Sequence, residues 1–91
     1  MQALTTLEAK HRLRELKGWQ IENGQLTRTF EFSTFLAALS FVNGVGELAE
    51  RVGHRPDIDI RYNRVRLSLS THDAGGITSR DFDLAARVDS L

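Results

Sequence analysis

The stretch His54–His72, HRPDIDIRYNRVRLSLSTH, alternates apolar and polar residues on either side of a central Tyr-Asn-Arg. Isoleucines alternate with charged residues in its first half, and aliphatic residues alternate with arginines and serines in its second half. Alternation with a period of two is the pattern of a half-buried β-strand. The stretch therefore predicts a β-hairpin that has a histidine at each end.

A two-residue turn at Asn63-Arg64 gives this hairpin a consistent register. The isoleucines of the first strand then face leucines of the second, so the apolar residues of both strands share one side. The same register places Arg55 opposite His72, with His54 one residue beyond. A three-residue turn would shift the pairing by one residue and would still bring the two ends together. We therefore expect the two histidines to share one pocket.

Upstream, the sequence predicts a second hairpin and a long helix. Asn23-Gly24 is a strong turn signal between alternating segments at about 18–22 and 25–32. Ser33 or Thr34 then caps a helix over about 34–52, in which apolar residues recur at steps of three and four. Its predicted inner face comprises Phe35, Ala38, Leu39, Val42, Val45 and Ala49, and Gly53 is placed to end it.

Two capping boxes mark the remaining helices. Thr5 with Glu8 begins a helix over about 6–16, and Thr78 with Asp81 begins one over about 79–90. In each motif the N-cap hydroxyl accepts from the backbone of the third helical residue, whose carboxylate accepts from the N-cap backbone. The element order is then α-β-β-α-β-β-α. This order predicts an α+β fold, a four-stranded antiparallel sheet with three helices packed on one face, as a single domain over 1–91.

Composition excludes several classes of function. The 91 residues contain no cysteine, which rules out disulfides, thiolate zinc sites and a cysteine nucleophile. Lys+Arg and Asp+Glu are equal at 12 each, so no overall basic field favours nucleic acid. The arginines at 61, 64 and 66 leave nucleic-acid binding as a weak alternative, because Asp57 and Asp59 dilute that patch. No signal peptide or membrane-spanning run is recognisable, and we expect a cytoplasmic protein without membrane contact.

Two of the three histidines are candidates for proton chemistry. His54 and His72 are expected at the same end of one hairpin, and imidazoles exchange protons near neutral pH. A metal site is less favoured, because these histidines and the nearby aspartates have no familiar ligand spacing. Asp81 is sufficiently explained as a helix cap but could also accept hydrogen bonds from a ligand. Arg55 could donate to a ligand but cannot act as a base.

Three segments of the chain together resemble the pterin-4a-carbinolamine dehydratase family. They are Glu50–Asp57 (ERVGHRPD), Tyr62–Val65 (YNRV) and Leu69–Asp81 (LSTHDAGGITSRD). The resemblance extends upstream and covers nearly the whole chain, with the motifs in the family's order. It implies the same fold as the residue patterns do.

The resemblance also implies an activity and a site. The family dehydrates 4a-hydroxytetrahydropterin to quinonoid dihydropterin and water, in the recycling of the cofactor of aromatic amino-acid hydroxylases. It needs no metal or bound cofactor, and its members form homodimers or homotetramers. Carried over to this chain, His54 and His72 are the acid–base residues. The implied pterin-binding residues are His54, Arg55, Pro56, Thr71, His72, Asp73, Ala74 and Asp81.

Arg55 is the departure from the family pattern, which usually has a second histidine at this position. Arginine keeps a hydrogen-bond donor there and removes a titrating group. The alternative to an active dehydratase is a weakly active or inactive pterin-binding or protein-interaction module of the same fold. Such a module would resemble the family member that is also a dimerisation cofactor of a transcription factor.

Overall fold

The structure, a computed structural model, describes residues 2–91 and has its elements in the predicted order. It confirms the α+β fold. The elements are α1 (Thr6–Leu13), β1 (Gln20–Glu22), β2 (Gln25–Glu31), α2 (Phe35–Val52), β3 (Asp57–Arg61), β4 (Arg64–Leu69), a single 3₁₀ turn (His72–Ala74) and α3 (Ser79–Asp89).

The two hairpins join into one antiparallel sheet with the order β1-β2-β4-β3. The strands β2 and β4 occupy the centre and pair from Leu26–Leu69 to Glu31–Arg64. Alternate residues of these strands supply much of the core, because one face of the sheet is covered. Leu26, Val65, Leu67 and Leu69 are all fully buried, and Phe82, Leu84, Ala85 and Val88 of α3 join the same cluster.

The predicted turn of the second hairpin is wrong by one residue. Arg61 pairs with Arg64, so the turn is Tyr62-Asn63 rather than Asn63-Arg64. Asn63 is tied to the end of β2: its side-chain amide donates to the Phe32 carbonyl at 2.7 Å, and its own carbonyl accepts from the Phe32 N–H at 2.9 Å. Tyr62 takes the left-handed conformation that the turn needs, with φ 53°.

With the observed turn, the β4 partner of every β3 residue lies two positions from the predicted one. Ile58 faces Leu67 and Ile60 faces Val65, so the apolar residues still share one side. The ladder ends at Asp57–Ser68, and the predicted pairing of Arg55 with His72 does not form.

Two helix predictions also need correction. The helix α1 stops at Leu13 rather than near 16, and residues 14–18 form turns before the Trp19 side chain enters the core. Phe35 was predicted on the inner face of α2, but it lies in the first turn and is 45% exposed. None of the helices in residues 2–91 combines the length and apolar character that a bilayer span requires.

Candidate active site

The end of α2 places His54. Gly53 ends the helix in the left-handed conformation, with φ 70°, and its N–H donates to the Ala49 carbonyl at 2.9 Å. The backbone N–H of His54 donates to the same carbonyl at 3.2 Å. The guanidinium of Arg80 donates to the Gly53 carbonyl at 3.0 Å from the first turn of α3. Hydrogen bonds from α2 and α3 therefore hold the backbone at Gly53 and His54.

The start of α3 places Asp81 against His54. The predicted capping box is confirmed, because the Thr78 N–H donates to Asp81 Oδ2 at 2.8 Å. The other carboxylate oxygen, Oδ1, lies 2.5 Å from His54 Nε2. The Asp81 side chain is fully buried, whereas 11% of the His54 side chain remains exposed. The aspartate is thus held inside the protein, and the histidine it contacts still reaches the surface.

The end of β4 adds a third partner, Thr71. This residue pairs with Gly76 across the loop that leads to α3, its N–H donating to the Gly76 carbonyl at 2.8 Å. Its hydroxyl lies 3.0 Å from Asp81 Oδ2 and 2.7 Å from the Thr78 hydroxyl. Both threonines are buried. We call the four connected residues His54, Asp81, Thr71 and Thr78 the Asp81 network.

The remaining predicted site residues lie around this network without joining it. His72 and Asp73 are exposed in the 3₁₀ turn that follows Thr71, and Ala74 and Pro56 are half-buried. The Arg55 guanidinium lies 3.1 Å from the Glu50 carboxylate, and both side chains are exposed. The structure therefore links His54 to Thr71 through Asp81 and places His72 next to Thr71 along the chain. Catalytic and ligand-contact roles for the predicted residues stay predictions.

Sequence reasoning did not assign Thr78 and Arg80 to the site. Thr78 was recognised only as a helix cap, and nothing in its local motif indicates the bond to Thr71 across the intervening loop. Arg80 looks like an ordinary residue in the first turn of a helix. Its bond to the Gly53 carbonyl depends on how α2 and α3 pack, which no local pattern encodes.

A cleft of about 180 Å³ opens beside His54. Its polar lining consists of His54, Arg80, Asp83 and Arg87, and Val52 and Leu84 supply the apolar lining. Asp83 also pairs with Arg12 at 3.5 Å, so positive charge predominates there. Larger hollows of about 640 and 660 Å³ lie against α1 and α2 and include no residue of the Asp81 network. The hydrogen-bonded groups of the candidate site therefore lie beside one of the smaller clefts.

The arrangement has the chemistry of a proton-transfer site. One imidazole nitrogen bonds to a buried carboxylate, and His54 lines a cleft with its side chain still partly exposed, which are the features of an oriented acid–base residue. The side chains of residues 2–91 form no group of three or more His, Cys, Asp or Glu residues suited to a metal ion.

Comparison with known proteins agrees with the family resemblance of the sequence motifs. Residues 2–91 match the family described as "Pterin 4 alpha carbinolamine dehydratase". A protein of Acidobacterium capsulatum, named provisionally as a pterin-4-alpha-carbinolamine dehydratase, is 56% identical over 91 residues, which cover 100% of this chain and 99% of the relative. A relative of the same provisional name from Chloroflexus aurantiacus is 52% identical, with 100% and 98% covered.

Solved structures show the same fold. A protein of Brucella melitensis described as a transcriptional coactivator/pterin dehydratase superposes with a TM-score of 0.92 at 35% identity, over 98% of this chain and 97% of that one. A pterin dehydratase-like protein described as a RuBisCO assembly factor in the alpha-carboxysome gives 0.65 at 25% identity, over 79% and 83%. From the match over residues 2–91 and from these relatives, the chain belongs to the pterin 4 alpha carbinolamine dehydratase family.

Proposed function

We propose that this protein is a hydro-lyase that dehydrates 4a-hydroxytetrahydropterin to quinonoid dihydropterin, with His54 and His72 as the acid–base residues. The observation that carries the proposal is the position of His54. Its Nε2 lies 2.5 Å from a fully buried carboxylate, and His54 is one of the residues that line a cleft. Membership of the dehydratase family supplies the substrate class and the reaction.

The reaction needs two proton transfers and no redox partner. The bond between C4a and its hydroxyl oxygen breaks, and the oxygen takes a proton and leaves as water. A ring N–H gives up its proton, and the electron pair of that bond forms the new C=N bond. One protonated and one neutral imidazole can supply both transfers, each worth roughly 10²–10⁴ in rate.

The exposed turn after β4 completes the proposed site. His72 is the second acid–base residue, and its exposure leaves its imidazole free to meet a ligand from solvent. The predicted pterin contacts at Arg55, Pro56, Asp73 and Ala74 lie on the two segments that flank the Asp81 network. Asp81 is completely buried and contacts polar protein groups at both oxygens, which suits it to orienting His54.

Dehydration of a 4a-carbinolamine by the purified protein tests this proposal directly. We expect His54→Ala and His72→Ala each to lower the rate by roughly 10²–10⁴. His11→Ala is the matched control, because His11 is exposed on α1 and lies outside the network. Unchanged rates in both the His54 and His72 variants would refute the assignment.

Arg55 gives a second, finer comparison. Its guanidinium pairs with Glu50 at 3.1 Å, which holds a permanent donor near the start of β3. Arg55→His restores the residue that the family usually has there. We expect this change to raise kcat/KM, because a titrating group returns to the site; a lower value would show that the Arg55–Glu50 pair itself serves binding.

A non-catalytic interaction role is the alternative, and the descriptions of two solved relatives favour considering it. One relative is described as a coactivator as well as a dehydratase, and the other as an assembly factor. On this alternative the protein would bind pterin or a partner without turnover. Robust turnover, with the histidine variants inactive, would exclude it.

On the main proposal, the product returns to the tetrahydropterin pool. For members of this family, that recycling regenerates the cofactor of aromatic amino-acid hydroxylases.

We also propose that the chain forms a homodimer or homotetramer. The edge strand β3 is exposed at all five residues, which leaves one row of its backbone groups available for pairing. Its inner-face residues Ile58 and Ile60 remain 37% and 36% exposed. Sedimentation velocity should show an oligomer that Ile60→Lys dissociates, and a monomeric wild type at all concentrations would contradict this.

A further inference from the structure

We propose that the Asp81 network keeps the neutral His54 imidazole protonated on Nε2, so that Nδ1 is the nitrogen that exchanges protons with the substrate. Thr71 and Thr78 are positioning residues in this arrangement, since they act on His54 through Asp81. The role of Nδ1 in turnover rests on the proposed function, but the hydrogen positions within the network do not.

The backbone N–H of Thr78 fixes the orientation of the Asp81 carboxylate. A backbone amide can only donate, so the atom 2.8 Å from it, Oδ2, must accept. The Thr71 hydroxyl reaches the same oxygen at 3.0 Å. The carboxylate also lies at the N-terminus of α3, where the helix dipole favours negative charge. An ionised carboxylate only accepts, and Oδ1 therefore receives the hydrogen of His54 Nε2.

Only one assignment of the two threonine hydroxyl hydrogens gives each of them an acceptor. The Thr78 oxygen accepts from the Arg80 N–H at 3.2 Å, and its own hydrogen must find an acceptor inside the protein. The Thr71 oxygen, 2.7 Å away, is that acceptor. The Thr71 hydrogen is then directed to Asp81. If the Thr71 hydroxyl donated to Thr78 instead, its single hydrogen could not also reach Asp81. The buried Thr78 hydrogen would then have no acceptor.

These hydrogen positions leave one nitrogen of His54 for chemistry. With Nε2 donating to Asp81, the neutral ring has its lone pair on Nδ1. Nδ1 can then accept a proton from a ring N–H of the substrate or, once protonated, give one to the leaving hydroxyl. The nitrogen that faces Asp81 takes no part in exchange with the substrate.

The substitution Asp81→Asn tests the hydrogen positions. The side chain keeps its shape, and the Thr78 N–H still requires an acceptor, so the amide oxygen should occupy the place of Oδ2. The amide NH₂ then faces His54 and forces Nε2 to accept, which moves the ring proton to Nδ1. In a serine protease the corresponding change of tautomer lowers kcat about 10⁴-fold, and we expect a kcat loss of comparable order with little change in KM.

Long-range ¹H–¹⁵N correlation spectra of the full chain, at a pH where the imidazole is neutral, read the tautomer without an activity assay. The chain has three histidines, and His11→Gln and His72→Gln assign the signals. We expect the Nε2–H form in the wild type and the Nδ1–H form in Asp81→Asn. A wild-type Nδ1–H form would overturn the proposal, as would an unchanged tautomer in a folded Asp81→Asn variant.

Substitutions at Thr71 form a second test, which does not depend on the Asp81→Asn variant. Thr71→Val removes the hydroxyl at nearly constant volume, and Thr71→Ser keeps it. By analogy with residues that orient metal-binding histidines, we expect Val to lower kcat roughly 10- to 100-fold and Ser to restore it. Equal loss in both variants would overturn the positioning role. A wild-type Nε2–H tautomer in a protein without dehydratase activity would uphold the hydrogen positions and refute the proposed function.

Discussion

Two helices of this chain begin with the same motif in opposite surroundings. At α1, the Thr5 N–H donates to Glu8 at 2.8 Å and the Glu8 N–H donates back to the Thr5 hydroxyl at 3.1 Å. At α3, Thr78 and Asp81 form the equivalent reciprocal cap. The first cap is exposed to solvent, and the second is buried completely.

The two caps differ in the partners of the threonine hydroxyl and of the second carboxylate oxygen. At α1 the cap is complete in itself, with water around it. At α3 the second carboxylate oxygen meets His54, and the cap hydroxyl meets Thr71. The shorter side chain of Asp81 keeps its charge close to the helix, where two other segments of the chain arrive. The capping motif of α3 thus contacts two further segments of the chain, and these contacts connect it to His54.

The largest expected contrast is between Asp81→Ala and Glu8→Ala. Removing Asp81 leaves the Thr78 N–H and the Thr71 hydroxyl buried without an acceptor and strips His54 of its partner. We expect a loss of roughly 3–5 kcal/mol in the free energy of unfolding. Glu8→Ala should change it only slightly, because water replaces the carboxylate. Urea denaturation of both variants measures this, and equal losses would show that burial adds nothing to the cap.

A smaller contrast separates the two cap threonines. Thr5→Ala removes one exposed N-cap and should cost about 1 kcal/mol of stability. Thr78→Ala removes a buried N-cap and the donor to Thr71, and we expect roughly 2–3 kcal/mol. Chemical denaturation midpoints at constant m-value would report the difference. A Thr5 variant less stable than the Thr78 variant would reverse the comparison.

The smallest effect is a pH dependence at α1. Hydrogen bonds from the Thr5 backbone and then its side chain lower the pKa of Glu8 from its ordinary value of 4.5. The folded state therefore keeps Glu8 charged at a lower pH than the unfolded state does. Its contribution is fully present above the ordinary value and is lost as pH falls through the lowered folded value.

Helicity and stability of the wild type and of Glu8→Gln measure this contribution. The difference between the two proteins should be constant near neutrality and should shrink in acid. A difference that grows as pH falls would contradict the assigned direction.

Much of the fold follows from local patterns, and much of the candidate site does not. Both capping boxes, the Asn23-Gly24 turn and the Gly53 stop are set by neighbouring residues, and the structure has each of them. The turn at Tyr62-Asn63 escaped prediction because Phe32, far away in sequence, decides it. The contact of His54 with Asp81 was also not derivable locally, since it needs the end of α2 and the start of α3 to meet.

The bonds between Asn63 and Phe32 have a consequence at the opposite end of β3. This strand has five residues, and at about 3.3 Å per residue it spans roughly 17 Å between the turn and the segment that leads back to His54. With β4 fixed against β2, the register predicted from sequence would displace β3 by two residues, or about 7 Å. Gly53 and His54 are bound to α2 through the Ala49 carbonyl, so Arg55 and Pro56 alone would have to take up that displacement. Asn63 therefore sets how far the start of β3 lies from the helix end that carries His54.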